Sequence, residues 1–321
     1  MIYLLVFVIL FVLELLYFKV AGFFNIVDRP NERSSHTNVT LRGGGVIFYF
    51  AVLAYFVFSG LQYPWFFIGL TVMTIISFLD DVFSLSNRVR LLAHFSSVLL
   101  VAVQLNAFIM PWFYLVIAFV AVVGVINAYN FMDGINGITA SYSLAVVAVL
   151  MLENGKLGYI SQDLLLYVMI GLLIFSFFNF RMNARCFAGD VGSVAIAYIL
   201  IFALASLILK TNNLIYLLLL SVYGVDTFWT IVRRVYLKEN IFEAHRSHLY
   251  QYLANEAGVN KLLVSTLYAG IQFAIGLAVI YVAELDNNTQ WWFTLILLTI
   301  LSVIYLVLKQ WIIKRYVVNI R

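Results

Sequence analysis

Long hydrophobic runs recur from one end of the chain to the other, separated by short polar stretches. Most runs approach the length of about 20 residues that an α-helix needs to cross the hydrocarbon core of a bilayer. In lipid, a helix satisfies all of its own backbone hydrogen bonds. The pattern therefore predicts an all-α integral membrane protein, a bundle of ten to eleven transmembrane helices. The predicted spans are residues 2–21, 44–61, 63–79, 91–108, 111–128, 137–152, 163–179, 191–209, 213–231, 262–283 and 290–312.

The composition also indicates a membrane protein. Hydrophobic residues make up 64% of the 321 residues and charged residues 11%, whereas soluble domains contain about 45–50% and about 25%. No separate soluble domain is apparent, so we expect residues 1–321 to form one domain. The first run has no signal-peptide cleavage site, so we expect it to remain as a span in which Glu14 is structural. The single cysteine, Cys186, cannot form an internal disulfide, and we expect no role for it.

The positive charges predict how the chain is oriented. One side of the membrane receives the C-terminus and nearly all Lys and Arg residues, in loops 22–43, 80–90, 129–136, 180–190 and 232–261. The opposite side carries only Lys156 and Lys210. Because basic loops remain in the cytosol, we predict an external N-terminus, a cytoplasmic C-terminus and a longest cytosolic loop at 232–261. Such a surface suits anionic lipids and substrates, and no basic domain with interleaved aromatic residues indicates nucleic acid.

Two adjacent carboxylates end the third predicted span. Asp80 and Asp81 lie in FLDDVFSL, which is followed by the basic stretch NRVR. Adjacent carboxylates repel each other, and a shared divalent cation relieves that repulsion. The alternative is a solvated helix end whose acids pair with Arg88 and Arg90. This cluster alone does not separate the two interpretations.

A second polar cluster follows the fifth predicted span, in NAYNFMDGINGI. Its residues Asn127, Asn130, Asp133 and Asn136 recur every three positions, which puts them roughly along one side of a helix. The glycines between them allow backbone to approach a ligand closely. A bare turn rich in Asn and Gly is the alternative, but its place at the mouth of a helix bundle favours a function.

Asp190 stands between glycines in FAGDVGS, just before the eighth predicted span. An Asp at this position is often only a helix cap, which accepts hydrogen bonds from the first backbone N–H groups. Its location on the same face as the two earlier clusters makes an oxygen-rich Mg²⁺ site geometrically possible.

The longest cytosolic loop contains two histidines. His245 and His248 are three residues apart in HRSHLYQ, with Arg246 between them. Residues three apart share a helical face, and the neighbouring arginine favours a phosphate grip. A zinc site would need further ligands.

The first cytosolic loop also favours phosphate binding. In DRPNERSSHTNVTLRGGG, the basic residues Arg33, His36 and Arg42 precede a glycine triplet. Basic groups beside a glycine turn bind phosphate through their charge and through exposed backbone amides. The GK[ST] of a P-loop is missing from this motif.

Five polar motifs thus follow one another along the chain: DRPNERSSH with RGGG, FLDDV, NAYNFMDGINGI, FAGDVGS and HRSH. In this order they resemble the polyprenyl-phosphate N-acetylhexosamine-1-phosphate transferases, the membrane enzymes of glycosyltransferase family 4 that include MraY, WecA and TagO. The resemblance runs from about residue 25 to residue 250, and all five motifs fall on the face predicted independently from charge. HRSHLYQ and NFMDGI look most similar to the WbpL-like branch, which starts O-antigen or capsule chains.

The resemblance implies a reaction. A sugar 1-phosphate moves from a UDP-N-acetylhexosamine, or a 6-deoxy sugar such as FucNAc or QuiNAc, to undecaprenyl phosphate, and UMP is released. It also implies Mg²⁺, or Mn²⁺ in its place, a bacterial plasma membrane with a cytoplasmic active site, and a homodimer. The metal ligands that it implies are Asp81 and Asp190. The expected catalytic residues are Asp80, Asp81, Asp133, His245 and His248, and the expected substrate-binding residues are Arg33, His36, Arg42, Asn127, Asn130, Asn136, Phe187 and Arg246, with Phe187 stacked on uracil.

We expect the lipid phosphate to attack directly. The second pKa of a phosphate monoester is about 6, so this phosphate is already largely a dianion at neutral pH. The main obstacle is repulsion between two anions, which Mg²⁺, arginine and histidine relieve. Asp80 then positions or deprotonates the phosphate and forms no phospho-enzyme. The lipid tail is expected in a groove near the third and fourth spans.

Two positions depart from the family pattern. Asn136 stands where the family commonly has an Asp, so an amide replaces a carboxylate expected near the uracil. Asn still accepts a hydrogen bond, so uridine selectivity is expected to weaken but not vanish. Ser84 stands where many relatives have Lys, and we expect Arg88 or Arg90 to supply that charge.

Two other classes of protein compete with this interpretation. A secondary transporter would place acidic residues near the bilayer midplane, usually in repeated halves, and neither feature is apparent here. Another Mg²⁺-dependent prenyl or phosphatidyl transferase would need Asp residues more closely spaced than these. Asp226, inside the ninth predicted span, is either a buried hydrogen-bonded group or part of the site.

Overall fold

Helices coincide with the predicted spans. The computed structural model describes residues 2–30, 38–240 and 246–317, and a helix overlaps each of the eleven spans. The helices are α1 Ile2–Phe23, α2 Ile47–Phe58, α3 Pro64–Phe83, α4 Asn87–Gln104, α5 Trp112–Met132, α6 Ile138–Leu157, α7 Gln162–Asn179, α8 Gly189–Thr211, α9 Ser221–Tyr236, the short α10 Leu249–Gln251, α11 Lys261–Val282 and α12 Asn287–Ile312. Two short strands, β1 Val27–Asp28 and β2 Thr40–Leu41, pair antiparallel.

Most of these helices have the length and composition of membrane spans. Nine helical segments in the described ranges qualify on both grounds, and the unit Gly44–Phe58 is apolar but shorter. The helix α4 does not qualify, because Arg88, Arg90 and His94 make its first half polar. The all-α membrane fold is therefore confirmed, whereas the orientation of the chain in the membrane stays a prediction.

The helix α8 lies at the centre of the bundle. It is buried on all sides from Val191 to Leu207 and packs against α2, α3, α5 and α6. A helix that is apolar all round belongs in such an interior. In α12, by contrast, only Tyr305, Lys309 and Ile312 are buried. The first turn of α8 is therefore held by several neighbours at once.

Close backbone contact ties the glycine triplet to the start of α8. A Cβ atom at Gly45 would lie 2.4 Å from the Cα atom of Gly192, so only glycine fits there. The N–H of Gly44 donates to the carbonyl of Phe187 at 2.9 Å, and the N–H of Gly45 donates to that of Ala188 at 3.2 Å. These contacts hold the predicted first cytosolic loop, which ends in the triplet, against the first turn of α8.

Glu14 and Cys186 form part of the interior beside this contact. Both are buried, with the Cys186 Sγ 3.8 Å from Glu14 Oε1. A Cβ atom at Gly44 would lie 2.6 Å from Cys186 Sγ, so the cysteine packs directly under the triplet. These positions agree with the structural role expected for Glu14, and they give Cys186 a packing role that its sequence position did not predict.

Candidate active site

A polar cavity lies at one end of the bundle, where α3 and α5 end and α4 and α8 begin. Its polar lining consists of Ser77, Asp80, Arg90, His94, Asn127, Asn130 and Asp190. The rest of its wall is apolar and comes largely from Met73, Ile76, Ile126 and Val194. We call this the acidic cavity.

Asp81 caps the helix α8 from outside that helix. Its Oδ1 accepts a hydrogen bond from the N–H of Asp190 and its Oδ2 one from the N–H of Val191, each at 3.0 Å. The positive end of a helix favours a carboxylate at this place. Gly189 permits the approach, because a Cβ atom there would lie 2.6 Å from Asp81 Oδ2.

Arg42 connects Asp81 with Asp190. Its Nε lies 2.7 Å from Asp81 Oδ1, and its Nη2 lies 3.4 Å from Asp190 Oδ1. Burial alone would lower the pKa of Arg42. The nearby carboxylates have the larger, opposite effect, so the pKa of Arg42 lies above its ordinary value. The guanidinium is therefore a fixed positive charge between two acids.

Asp80 points to the other side of the same helix end. Its Oδ1 accepts from the N–H of Leu85 at 2.6 Å, and its Oδ2 accepts from Arg90 Nη1 at 3.0 Å. The chain turns sharply between them, with Ser84 in the left-handed conformation at φ 53°. This turn brings Arg90 onto Asp80, so Arg90 supplies a positive charge to the acidic cavity.

Asn127 and Asn130 line the cavity from the last turns of α5. The Oδ1 atom of Asn130 accepts from Ser193 Oγ at 2.9 Å, which ties α5 to the first turn of α8. Asn127 donates to the carbonyl of Val123 at 2.8 Å, so its Oδ1 is turned away from its own helix backbone. The three-residue spacing thus brings both amides to the side of Asp190.

The turn after α5 carries Asp133 and Asn136, and neither lines the acidic cavity. Asp133 is partly exposed, and desolvation of its carboxyl group raises its pKa to about 7. Asn136 is buried, and its Nδ2 donates to the carbonyls of Arg181 and Met182 at 2.7 and 2.9 Å. The amide of Asn136 thus has a structural role in this arrangement, and its predicted contact with a nucleoside stays a prediction.

The segment that begins at Arg246 packs on that turn. His248 is 1% exposed, with its Nδ1 3.1 Å from Asp226 Oδ1, whereas Arg246 is partly exposed and lies 3.5 Å from Glu256. Phe187 is half-buried beside the glycine triplet, as its backbone contact with Gly44 requires. The predicted residues Arg33, His36 and His245 lie outside the described residues.

Two cavity residues had no assigned role in the sequence analysis. His94 lies on the same face of α4 as Arg90, four positions later, and Ser77 lies one turn before Asp81 on α3. The sequence could have predicted His94 as a cavity residue, because it follows Arg90 at the i, i+4 spacing that puts two side chains on one helical face. Asp226 belongs to a separate buried cluster.

The residues present fit a magnesium ion that is completed by substrate. Mg²⁺ usually takes one or two carboxylates plus substrate phosphates and water. Within residues 2–30, 38–240 and 246–317, no three His, Cys, Asp or Glu side chains are grouped to hold a metal by themselves. The Asp190 side chain is 22% exposed and faces the cavity with Asn127 and Asn130. The Asp81 side chain is 0% exposed and both of its oxygens accept hydrogen bonds, so it holds α8. Its role as a metal ligand stays a prediction.

Comparison with known proteins gives a family. The family model described as glycosyl transferase family 4 matches residues 63–209, which include the acidic cavity. A probable undecaprenyl-phosphate N-acetylglucosaminyl 1-phosphate transferase of Bacillus subtilis (strain 168) is 27% identical over 88% of this chain and 84% of that relative. The undecaprenyl-phosphate alpha-N-acetylglucosaminyl 1-phosphate transferase of Thermotoga maritima is 28% identical over 77% of this chain and 79% of that relative.

A third relative is more similar over a shorter stretch. The phospho-N-acetylmuramoyl-pentapeptide-transferase of Clostridium perfringens is 35% identical over 122 residues, 38% of this chain and 36% of that relative. The motif order, the helical bundle and these matches agree with one another. The comparisons therefore support glycosyl transferase family 4, and within it the polyprenyl-phosphate N-acetylhexosamine-1-phosphate transferases, as the family that this chain resembles.

Proposed function

We propose that this protein transfers an N-acetylhexosamine 1-phosphate from its UDP derivative to undecaprenyl phosphate and releases UMP. The lipid phosphate oxygen forms a bond to the sugar-bearing phosphorus, and the bond from that phosphorus to the oxygen shared with UMP breaks. The observation that carries the proposal is the acidic cavity. Asp80, Arg90, Asn130 and Asp190 converge there beside an apolar wall, in a chain that resembles this family.

The charges around the cavity suit a reaction between two anions. The dianionic lipid phosphate and the diphosphate of the sugar nucleotide repel each other, and fixed cations reduce that cost. Arg90 is held by Asp80 at 3.0 Å and Arg42 by Asp81 at 2.7 Å, so both guanidinium groups are positioned before substrate arrives. Such pre-positioning favours the transition state because no reorganisation is needed.

Asp190, with the amide oxygens of Asn127 and Asn130, would hold a Mg²⁺ ion. When bound, the ion neutralises negative charge on the diphosphate and orients it. The partial exposure of Asp190 and its place on the cavity wall support this assignment.

Asp80 acts by positioning in this proposal. Both of its oxygens already accept hydrogen bonds, from Arg90 and from the N–H of Leu85, and its side chain is only 8% exposed. A carboxylate neutralised in this way is a weak nucleophile toward phosphorus. We expect turnover to leave no phosphoryl label on the protein, and acid-stable capture of a labelled aspartyl phosphate would contradict direct attack.

In this proposal the reaction takes place on the cytoplasmic side of a bacterial plasma membrane. Arg42, Arg90, Arg181 and Arg246 lie at the end of the bundle that contains the cavity, and basic residues remain in the cytosol during insertion. UDP-sugars are cytosolic, which agrees with this side. The proposal includes a 6-deoxy sugar as donor and a role in O-antigen or capsule synthesis, and the sugar specificity tests both.

A panel of UDP-sugars tests the proposed function. Purified protein in detergent is incubated with undecaprenyl phosphate, Mg²⁺ and one of UDP-GlcNAc, UDP-GalNAc, UDP-FucNAc or UDP-QuiNAc, and UMP is measured. We expect lipid-dependent UMP release with at least one sugar and its loss when Mg²⁺ is chelated. Absence of UMP with every sugar would reject the transferase assignment, and uptake of a solute into proteoliposomes would favour a transporter.

A further inference from the structure

A second buried polar cluster lies outside the acidic cavity. It joins α9, α11 and α12 to the segment that follows Arg246, and its members are Asp226, Thr230, His248, Tyr268 and Lys309. All but Tyr268, which is 7% exposed, have side chains that are less than 4% exposed. We call it the anchor cluster. Polar groups buried this deeply are retained only where they are paired.

Asp226 is the centre of the anchor cluster. Its Oδ1 lies 3.1 Å from His248 Nδ1 and accepts from the N–H of Leu249 at 3.0 Å. Its Oδ2 accepts from the Tyr268 hydroxyl at 2.7 Å and lies 3.4 Å from the N–H of Tyr250. The carboxylate of one membrane helix thus caps the N-terminus of α10 and holds the histidine in front of it.

The contact between His248 Nδ1 and Asp226 Oδ1 determines which nitrogen of the imidazole carries a proton. A carboxylate only accepts hydrogen bonds, so Nδ1 must be the protonated nitrogen. The ring is held between two aromatic side chains, with centroid distances of 6.3 Å to Phe131 and 5.8 Å to Tyr250. Its orientation is therefore set from three sides, and the ring is 1% exposed.

Through this ring the anchor cluster reaches the turn that carries Asp133. The Tyr250 hydroxyl donates to the carbonyl of Phe131 at 2.8 Å. A Cβ atom at Gly134 would lie 2.1 Å from that hydroxyl, so the turn and the segment fit together only with glycine at this position. A shift of the segment would therefore move the turn as well.

The charge of Asp226 is balanced inside the bundle. Lys309 Nζ donates to Thr230 Oγ1 at 3.3 Å, and Thr230 Oγ1 lies 3.3 Å from Asp226 Oδ1. A buried charge without compensation would cost several kcal/mol in effective terms, so this arrangement supports an ionised carboxylate. The threonine also lies 3.5 Å from the carbonyl of Ser247, which adds a second tie to the same segment.

We propose that Asp226 is a positioning residue of the active site, acting through His248 and Tyr250. It holds the segment with Arg246 against the Asp133 turn, so that these groups face the nucleotide. The proposal rests on the proposed function, in which this side of the site receives the UDP moiety. It also assigns His248 to support of the site, in place of contact with substrate.

Kinetics of matched variants test the assignment. Asp226→Asn places an amide where two backbone N–H groups and an imidazole N–H need acceptors, and we expect kcat/KM for the UDP-sugar to fall about tenfold or more. The KM for undecaprenyl phosphate stays within about twofold of wild type, because the acidic cavity is untouched. The control is Thr227→Val, at the residue next to Asp226. It removes a buried hydroxyl that has no hydrogen-bond partner. It is expected to change neither parameter.

Replacement of His248 separates positioning from catalysis. His248→Asn keeps a donor near the Nδ1 position and is expected to retain activity within about threefold, whereas His248→Gln places its amide near Nε2 and loses about tenfold. The reverse order would mean that Nε2 contacts substrate and would overturn the proposal. Equal loss for both substrates in Asp226→Asn, with a lower thermal midpoint, would also overturn it.

A tautomer measurement distinguishes failure of this inference from failure of the proposed function. Nitrogen NMR of protein labelled at the histidine rings reports the Nδ1-protonated form of His248 without any turnover. We expect that form in wild type and its loss in Asp226→Asn. Wild type without UMP release would reject the transferase assignment, whereas an active enzyme with Nε2-protonated His248 would reject the role of Asp226.

Discussion

Asp81 and Asp226 are two buried carboxylates with the same local role in two parts of the bundle. Each lies in one helix and accepts hydrogen bonds from the first N–H groups of another. Their side chains are 0% and 2% exposed. Each also holds a basic side chain, Arg42 in one case and His248 in the other.

The surroundings of the two carboxylates differ. Beside Asp81, the carboxyl group of Asp190 is 22% exposed and faces the acidic cavity, so a structural acid supports a second acid that can reach a ligand. The carboxylate of Asp226 is enclosed by aromatic rings and α12. An acid whose oxygens are all engaged builds the site, and an acid with free acceptor capacity acts in it. The sequence position of an acid does not show whether it builds the site or binds a ligand in it.

The largest effect on activity is expected from Asp190→Asn. It removes the carboxylate that faces the acidic cavity, and turnover should fall at least about 100-fold. The thermal midpoint should stay near that of wild type, because Asp190 is not the acid that caps α8. The control is Asp163→Asn, which changes an exposed acid that accepts a hydrogen bond from the Tyr3 hydroxyl, and it should retain full turnover. Normal turnover in Asp190→Asn would place the acting acid elsewhere.

Asp81→Asn should reduce stability as well as activity. The change leaves Arg42 and the first amides of α8 without their full acceptor, and losing hydrogen bonds to a buried carboxylate costs about 2 kcal/mol in free energy of unfolding. Asp286→Asn is the matched control, because Asp286 caps α12 at an exposed place where Asn serves equally well. Denaturation in detergent measures the free energy of unfolding of both variants. If Asp81→Asn unfolded like wild type, the structural role of Asp81 would be wrong.

Gly134→Ala tests the fit between the anchor cluster and the Asp133 turn. The added methyl would lie 2.1 Å from the Tyr250 hydroxyl, and such overpacking costs about 1–3 kcal/mol. The KM for the UDP-sugar should rise with it, because the turn must move. Gly124→Ala on α5 meets nothing within 4 Å and should be neutral or slightly stabilising. Similar behaviour of the two alanine variants would argue against a tight fit.

Asn136→Asp, which restores the acid common in the family, is expected to have the smallest effect of the four. The carboxylate has no N–H for the carbonyls of Arg181 and Met182, so stability should fall by about 1 kcal/mol. The cost is limited because Met182 is exposed and water can reach the carbonyl. Thermal unfolding checks this expectation. A more stable variant would show that the amide is not required here.

Much of the fold could be predicted because it depends on local pattern. Each span appears as a long apolar run, and most helices lie within about five residues of the predicted ranges. The exception is α9, which begins at Ser221 because Leu214–Leu220 form a separate 3₁₀ helix. The polar start of α4 shows the limit of that approach, since Arg88, Arg90 and His94 lower its hydropathy. A sequence shows how apolar a helix is but not which of its faces lines a polar cavity.

The roles within the site were harder to predict because they depend on distant contacts. Asp81 meets the amides of residues more than a hundred positions later, so its capping role has no sequence signature. Asn136 was expected near the nucleoside, but its amide donates to a loop some 45 residues away. Motif spacing brought the right residues to one end of the bundle, and tertiary packing decided which of them face the cavity.

The most direct test of the central claim follows the phosphate between sugar and nucleotide. UDP-GlcNAc, or whichever UDP-sugar supports UMP release, is prepared with ³²P in the β-phosphate and ³H in the sugar, and incubated with purified protein and undecaprenyl phosphate. We expect both labels to enter the organic phase in equal molar amounts while UMP stays in water, and we expect Asp190→Asn to form almost none of this product. Tritium alone in the organic phase, with ³²P retained in UDP, would contradict it.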